Sequence, residues 1–301
     1  MPTIHTLDLQ DRAPRVIAAF VLDTAEGPVL FETGPESRFS ALVDGLKGLG
    51  YSPQDIRHVF VTHIHLDHAG AAWRFAQSGS RIYVHPKGAP HLIDPSKLWA
   101  SATRIYGEQM ETLWGHMGSV PENQVRVLQD GDTVSIGEVS IKAIETPGHA
   151  GHHHAFQIGD ALIAGDVTGV RIGRGPVLPP CPPPDINLEV WSDSIAKIRS
   201  LKPKTLYLTH FGEFTDVARH LEALETVLAD WGEWMRLQLK EGKSREQIVP
   251  EFEAYVAQQL RQAGLSEAEV EEYEFADPAW MSVDGLMRYW NKFHPEEVRP
   301  R

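Results

Sequence analysis

The chain has 301 residues, 42% of them hydrophobic and 23% charged, with a formal net charge of -13; this is ordinary globular composition, long enough to enclose a sizeable core. A general nucleic-acid binder needs a basic surface to displace counterions from phosphate, so the acidic balance argues against a nucleic-acid partner. No run of about 18 apolar residues occurs, so no membrane-spanning helix and no membrane partner are expected.

Residues 15–33 read as two strands about a TAEG turn, VIAAFVLD and PVLFETG, both rich in β-prone residues. SRFSALVDGLKGLG then carries apolar residues at helical spacing and ends in glycine. IRHVFVTH is a buried strand, DHAGAAWRFAQSG a helix that starts close to Asp67, and SRIYVHP another strand. Residues 87–120 are helical, with Leu98, Trp99, Ile105, Met110, Leu113, Trp114 and Met117 as their apolar positions. Packing on the core is the plainer role for them, and a cap over an apolar substrate pocket the sharper one.

From 125 to 168 the pattern is dense β, as VRVLQ, DTVSI, EVSIKAIET, HHAFQI and ALIAGD, divided by the turns DGD, IGE and IGD. GRGPVLPPCPPPD, residues 173–185, is a stiff loop, since proline fixes φ and donates to no ladder. A helix, VWSDSIAKIRSLKP, and a strand, TLYLTH, follow. Beyond His210 the signal is helical to the end, and Ser244 with Gln247 and Ser266 with Glu269 suit capping boxes. A boundary near 212 divides an α/β domain, residues 1–212, from a helical C-terminal region, 213–301.

The lone cysteine, Cys181, allows no intrachain disulfide, and MPTIHTLDLQDRAPR lacks a basic stretch followed by an apolar one. A cytoplasmic protein is therefore the expectation. Cys181 sits among prolines without a companion histidine motif and reads as an inert thiol.

The chemistry is concentrated in VTHIHLDHAG, which places His63, His65, Asp67 and His68 at the tip of an apolar strand. If residues 63–65 stay extended, His63 and His65 point to the same side, while Asp67 and His68 enter the first helical turn. Three imidazoles without a metal need three separate sets of hydrogen-bond partners, so metal ligation is the simpler reading. Three further ligand types follow apolar strands: His149 in IETPGHAGHH, Asp166 in ALIAGD and His210 in LYLTH. Each is weak alone. Together they make five histidines and two aspartates, a count that fits two ions with a shared carboxylate. Imidazole and carboxylate without thiolate suit zinc first, with iron or manganese also accommodated.

In this order, THIHLDH, TPGH, AGD and LTH resemble the metallo-β-lactamase superfamily, most closely its glyoxalase II-type and related thioester or lactone hydrolases. The resemblance covers about residues 15–212. It implies an α/β fold, an αββα sandwich with the site at one edge, here with a helical cap inserted at about 87–120 and a C-terminal helical extension. It also implies that His63, His65 and His149 hold one divalent ion, that Asp67, His68 and His210 hold a second, and that Asp166 bridges them. Asp67 is then the candidate catalytic residue, orienting the attacking hydroxide and accepting a proton.

Two departures stand out. Glu32 occupies a position where a common pattern of the superfamily has aspartate, and His152 one where its TPGHTxGH has glycine, with His153 matching the second histidine. His152 and His154 are expected to be solvated.

The leading function is a dinuclear metal-dependent hydrolase whose metal-activated hydroxide attacks a carboxylic ester, thioester or lactone of a small acyl substrate. The alternatives are a phosphodiesterase or nuclease of the same superfamily, against which the charge and the lack of a Lys/Arg-rich insertion count, and a mononuclear-iron oxidoreductase of the sulfur dioxygenase type. A non-enzymatic, metal-stabilised binding module ranks last, because a closed structural zinc site needs only four ligands. The region 213–301 is expected to complete the substrate pocket or a homo-oligomer interface. Its aromatic anchors Trp231, Trp234, Trp280, Tyr289 and Trp290 are expected chiefly to pack against the α/β domain.

Overall fold

The computed structural model describes residues 3–10 and 12–299. One sheet runs in the order β1 (Ile4–Asp8), β2 (Ala18–Leu22), β3 (Val29–Phe31), β4 (His58–Phe60), β5 (Arg81–Val84), β6 (Val125–Val127). The second contains β7 (Thr133–Ile136), β8 (Val139–Glu145), β9 (His154–Ile158), β10 (Ala161–Ile163), β11 (Thr205–Leu208) and β12 (Gly212–Phe214), ordered from β12 at one side to β7 at the other. Strands β3 to β6 run parallel, as do β10 and β11.

Alternation along the strands builds the layers, because successive side chains point to opposite faces. Ala18, Phe20 and Leu22 of β2, Phe31 of β3 and Phe60 of β4 join Phe156, Ile163 and Tyr207 of the second sheet in a core between the sheets. The intervening residues Ala19, Val21, Leu30 and Val59 face the other way. They pack beneath α1 (Phe39–Gly48), α2 (Leu66–Ala69), α3 (Ala72–Gln77), α4 (Ala89–Ile93), α5 (Ser96–Tyr106) and α6 (Met110–Trp114). On the far side Leu162, Leu206 and Leu208 meet α7 (Leu188–Leu201), α8 (Val217–Lys240), α9 (Arg245–Gln262), α10 (Glu267–Ala276) and α11 (Ala279–Phe293). The result is an αββα sandwich with added C-terminal helices.

Both capping boxes form, at Ser244 with Gln247 and at Ser266 with Glu269. Three elements differ from expectation. Strand β1 pairs with β2 although IHTLD is short and half-polar; it is an edge strand, with only one neighbour to satisfy. The segment after His210 first forms β12, which pairs with β11, before the helices begin. The helix after His65 is broken into α2 and α3, where Gly70 lies so close to the backbone that a Cβ would sit 2.3 Å from the Leu66 carbonyl oxygen and 3.0 Å from Pro35 Cα. No helix among the described residues is long and apolar enough to cross a membrane.

Candidate metal centre

The loops that leave β4, β8, β10 and β11 open on one edge of the sandwich, and backbone hydrogen bonds tie the sheets together there. The Ala18 amide donates to the Thr209 carbonyl at 2.8 Å, and the His154 amide to the Thr62 carbonyl at 2.7 Å. Two glycines allow site residues to enter. Gly148, at φ +128°, precedes His149 and abuts the Trp191 backbone, and Gly165, at φ +53°, precedes Asp166 and would bring a Cβ within 2.6 Å of Thr62 Oγ1. Both need left-handed backbone and have no room for a side chain.

His63, His65 and His149 bring one ring nitrogen each to a common point: His63 Nε2 is 2.9 Å and His149 Nε2 3.2 Å from His65 Nδ1. Asp67, His68 and His210 form a second group, with Asp67 Oδ2 3.7 Å from His68 Nε2 and 3.4 Å from His210 Nε2. Asp166 stands between them. Its Oδ1 faces His68 Nε2 at 3.3 Å and His210 Nε2 at 3.6 Å, while its Oδ2 faces His149 Nε2 at 3.4 Å. All seven residues singled out in the sequence therefore meet in one cluster, as overlapping groups whose ligand atoms lie within 4.8 Å of one another.

The outer nitrogens orient several of the rings. His149 Nδ1 is 2.8 Å from the Pro180 carbonyl and His210 Nδ1 2.6 Å from the Val16 carbonyl. Each bond places a proton on Nδ1 and turns the Nε2 lone pair toward the cluster. His63 Nδ1 lies 3.0 Å from Thr62 Oγ1. Behind His68 stands fully buried Glu32, its Oε1 3.5 Å from His68 Nδ1 and 3.3 Å from the Thr62 amide.

These residues fit divalent cations. Both nitrogens of His68 and Oδ1 of Asp166 are buried without a hydrogen-bond partner, a costly arrangement unless something else satisfies them. Donors around a tetrahedral ion at about 2.1 Å stand roughly 3.4 Å apart, close to the separations observed. Among the described residues no thiol joins the cluster, since Cys181 is buried elsewhere and burial pushes its pKa up.

The field within the cluster is divided. Burial holds His63, His65 and His149 below the ordinary imidazole value, His65 at about 3, with the neighbouring imidazoles adding to the effect. Burial opposes a charge on His68 and His210 too, yet the facing Asp166 and Asp67 carboxylates overcome it and raise both. Burial would likewise raise Asp67 and Asp166; the His68 charge outweighs it and holds both below the usual carboxylate range. The first group thus offers neutral lone pairs; in the second, a cation beside the anionic oxygens of Asp67 and Asp166 would take the place of the protons that these carboxylates favour on His68 and His210.

Two expectations on neighbouring histidines need correction. His154 is fully buried rather than solvated, because it occupies the first position of β9 against His85, ring centroids 4.7 Å apart. His152 is half-buried and lines the cavity beside the cluster. His153 is buried behind the site, its Nδ1 2.8 Å from Thr146 Oγ1.

The cavity of about 460 Å³ has His65, Asp67, Asp166 and His210 at its inner end. Residues 87–120 both pack on the first sheet and supply Leu98, Ile105 and Trp114 to its wall. Of the five C-terminal aromatics, Trp280 alone lines it, and Trp231, Tyr289 and Trp290 are core residues. Phe275 of α10, Met281 of α11 and Asp277 in the link between these helices also border the cavity. No local sequence signal marked them, because only tertiary packing brings them to the site.

A family model described as the metallo-beta-lactamase superfamily matches residues 12–210. The chain is 27% identical over 159 residues to a metallo-beta-lactamase fold-containing protein of Sulfurisphaera tokodaii, covering 52% of this chain and 60% of that protein. It is 30% identical over 185 residues to the hydroxyacylglutathione hydrolase of Erythrobacter litoralis, covering 58% of this chain and 59% of that enzyme. The chain thus spans less than two thirds of the length of either relative. Among solved structures, a metallo-beta-lactamase family protein of Thermus thermophilus superposes with a TM-score of 0.72 at 20% identity, over 97% of this chain and 93% of that one; this likeness speaks for the fold alone.

Proposed function

The chain belongs to the metallo-β-lactamase superfamily, and from that premise we propose that it is a dinuclear metal-dependent hydrolase of carboxylic esters, thioesters or lactones. The observation that carries the proposal is the placement of Asp166, with one carboxylate oxygen toward each ligand group. A site for a single ion has no use for a carboxylate that faces two separate sets of imidazoles.

Two divalent cations, zinc first, would supply there a Lewis acid for a carbonyl oxygen and a water that ionises near neutral pH. Asp67, whose Oδ2 is 3.4 Å from His210 Nε2, lines the cavity. In this reading it would orient the attacking water and accept its proton at the carboxylate. The carbonyls of Pro180 and Val16 hold His149 and His210 in one ring orientation, so the site is ordered before substrate arrives. The likeness to a hydroxyacylglutathione hydrolase supports a glyoxalase II-like reading and keeps thioesters in the substrate class. The sparse cationic lining of the cavity, Lys97 and Arg12, supports an acyl substrate over a phosphodiester.

The test is metal analysis of the purified protein, coupled to turnover of a thioester, a lactone, an aryl ester and a phosphodiester before and after chelation. The expected result is two equivalents of metal per chain and acyl hydrolysis that chelation abolishes and zinc restores. Equal behaviour of loaded and chelated protein, or turnover of the phosphodiester alone, would overturn the proposal.

A further inference from the structure

We propose that the acyl group this site accepts is an apolar chain, lying between the cap and the C-terminal helices with its carbonyl at the ligand cluster. The inference rests on the hydrolase reading of the same cavity and adds the substrate's chemistry.

The cavity is built asymmetrically. Its inner end carries His65, Asp67, Asp166 and His210; leading away from them, the cap contributes Leu98, Ile105 and Trp114 and the C-terminal helices Phe275, Trp280 and Met281. Tyr106 joins the two walls: its hydroxyl donates to Met281 Sδ at 3.3 Å, and its ring meets Trp114 at 5.0 Å and Trp280 at 6.2 Å. A passage walled on two sides by such side chains rewards methylene groups and offers little to a hydrated chain.

Ile105 sharpens the point. Ile105, Val127, Leu237 and Phe293 are large hydrophobics that remain exposed, and among these four Ile105 alone lines the cavity, at 38% exposure. A bound apolar chain would cover this side chain and gain the free energy of removing its surface from water. The cationic lining is sparse, and Arg12, one of its two members, already donates to the Phe275 carbonyl at 2.6 Å. A volume of about 460 Å³ is that of a drug-sized ligand, room for roughly six to ten acyl carbons.

The test has two arms. In the first, uncharged 2-alkanones of four to ten carbons are titrated into metal-free protein, with tryptophan fluorescence as readout since Trp114 and Trp280 border the cavity. Affinity should rise about fourfold per methylene, the transfer value for full burial, and level off when the passage is full. In the second, zinc-loaded protein is assayed with p-nitrophenyl esters of the same lengths, and kcat/KM should follow the same slope. Ile105→Glu, at a position exposed enough to leave the circular dichroism spectrum and melting temperature near wild type, should flatten both slopes; Trp280→Ala should do so more weakly. Binding independent of length, or a preference for acetyl over octanoyl esters, would overturn the proposal. A binding slope without hydrolysis of any ester would support the apolar passage and sink the hydrolase reading, so the two fail separately.

Discussion

Asp166 Oδ1 lies 3.3 Å from His68 Nε2, yet neither atom has a hydrogen bond although both are buried. Two polar atoms this close, unaligned and withdrawn from water, are unfavourable unless a third body satisfies both. If that body is a cation, Asp166 serves two sites and its loss is felt by both. Asp166→Ala should retain fewer than two equivalents of metal and lose on the order of 100-fold or more in kcat/KM, since even outer partners of ligands are worth 10- to 100-fold. Elemental analysis after gel filtration checks the first, and ester kinetics under excess zinc the second. A variant that still holds two ions would show that the carboxylate bridges nothing.

Glu32 reaches the site from the end of β3. It is fully buried, and its Oε1 lies 3.5 Å from His68 Nδ1. Its extra methylene relative to aspartate sets that reach, so Glu32→Asp should withdraw the carboxylate from the ring. The expected outcome is a 10- to 100-fold weaker affinity for the second ion with the first retained. Competition with a chromophoric chelator resolves the two affinities. Equal weakening of both would instead indicate a general disturbance of the edge.

What the sequence revealed of this centre follows from its construction. His63, His65, Asp67 and His68 fall within six positions, and His149, Asp166 and His210 each follow an apolar strand of a sheet. Parallel neighbours such as β10 and β11 end on the same edge, so a ligand type just past such strands is visible as a pattern. His154 was read wrongly because it stands at the start of a strand, where the HHH run gives no sign of which ring faces inward. Strands β1 and β12 are short edge strands whose formation depends on the neighbour each pairs with. Phe275, Asp277, Trp280 and Met281 lie on a helix end and the start of the next, and the path of the long C-terminal helices, rather than any local pattern, carries them to the cavity.

His154 imposes a pH dependence on stability away from the ligands. Burial, reinforced by the neighbouring His85, lowers its pKa to about 3, against about 6.5 in an unfolded chain. Above pH 6.5 neither state is charged and there is no penalty. Below it the unfolded chain takes up a proton that the folded one refuses, so stability falls as pH falls toward 3. His154→Leu removes this linkage. Relative to its value at pH 8, the stability of the variant minus that of wild type should grow by about 2 kcal/mol at pH 5, as read from urea unfolding of both proteins. A difference that does not change with pH would mean that His154 takes up its proton in the fold as readily as in the unfolded chain.

Asp277 produces the opposite slope. Burial, with the nearby acid Glu274, raises its pKa well above the ordinary carboxyl value. Ser282 Oγ accepts from the Cys181 amide at 3.0 Å and faces Asp277 Oδ1 at 3.3 Å, which assigns the hydroxyl proton to Oδ1. Asp277 Oδ2 is buried without a partner, which makes it the oxygen that keeps the carboxyl's own proton. For an acid whose folded pKa is raised, the stabilising proton is fully present in both states below about pH 3.9 and becomes a growing cost as pH rises toward the folded value. Asp277→Asn keeps an acceptor for Ser282 and cannot ionise. Its stability relative to wild type should therefore climb from pH 4 upward by at most about 1.4 kcal/mol per unit, and lie close to wild type at pH 4. Chemical denaturation at pH 4, 6 and 8 reads the slope directly. A difference that stays constant across that range would mean that Asp277 ionises in the fold as readily as in the unfolded chain.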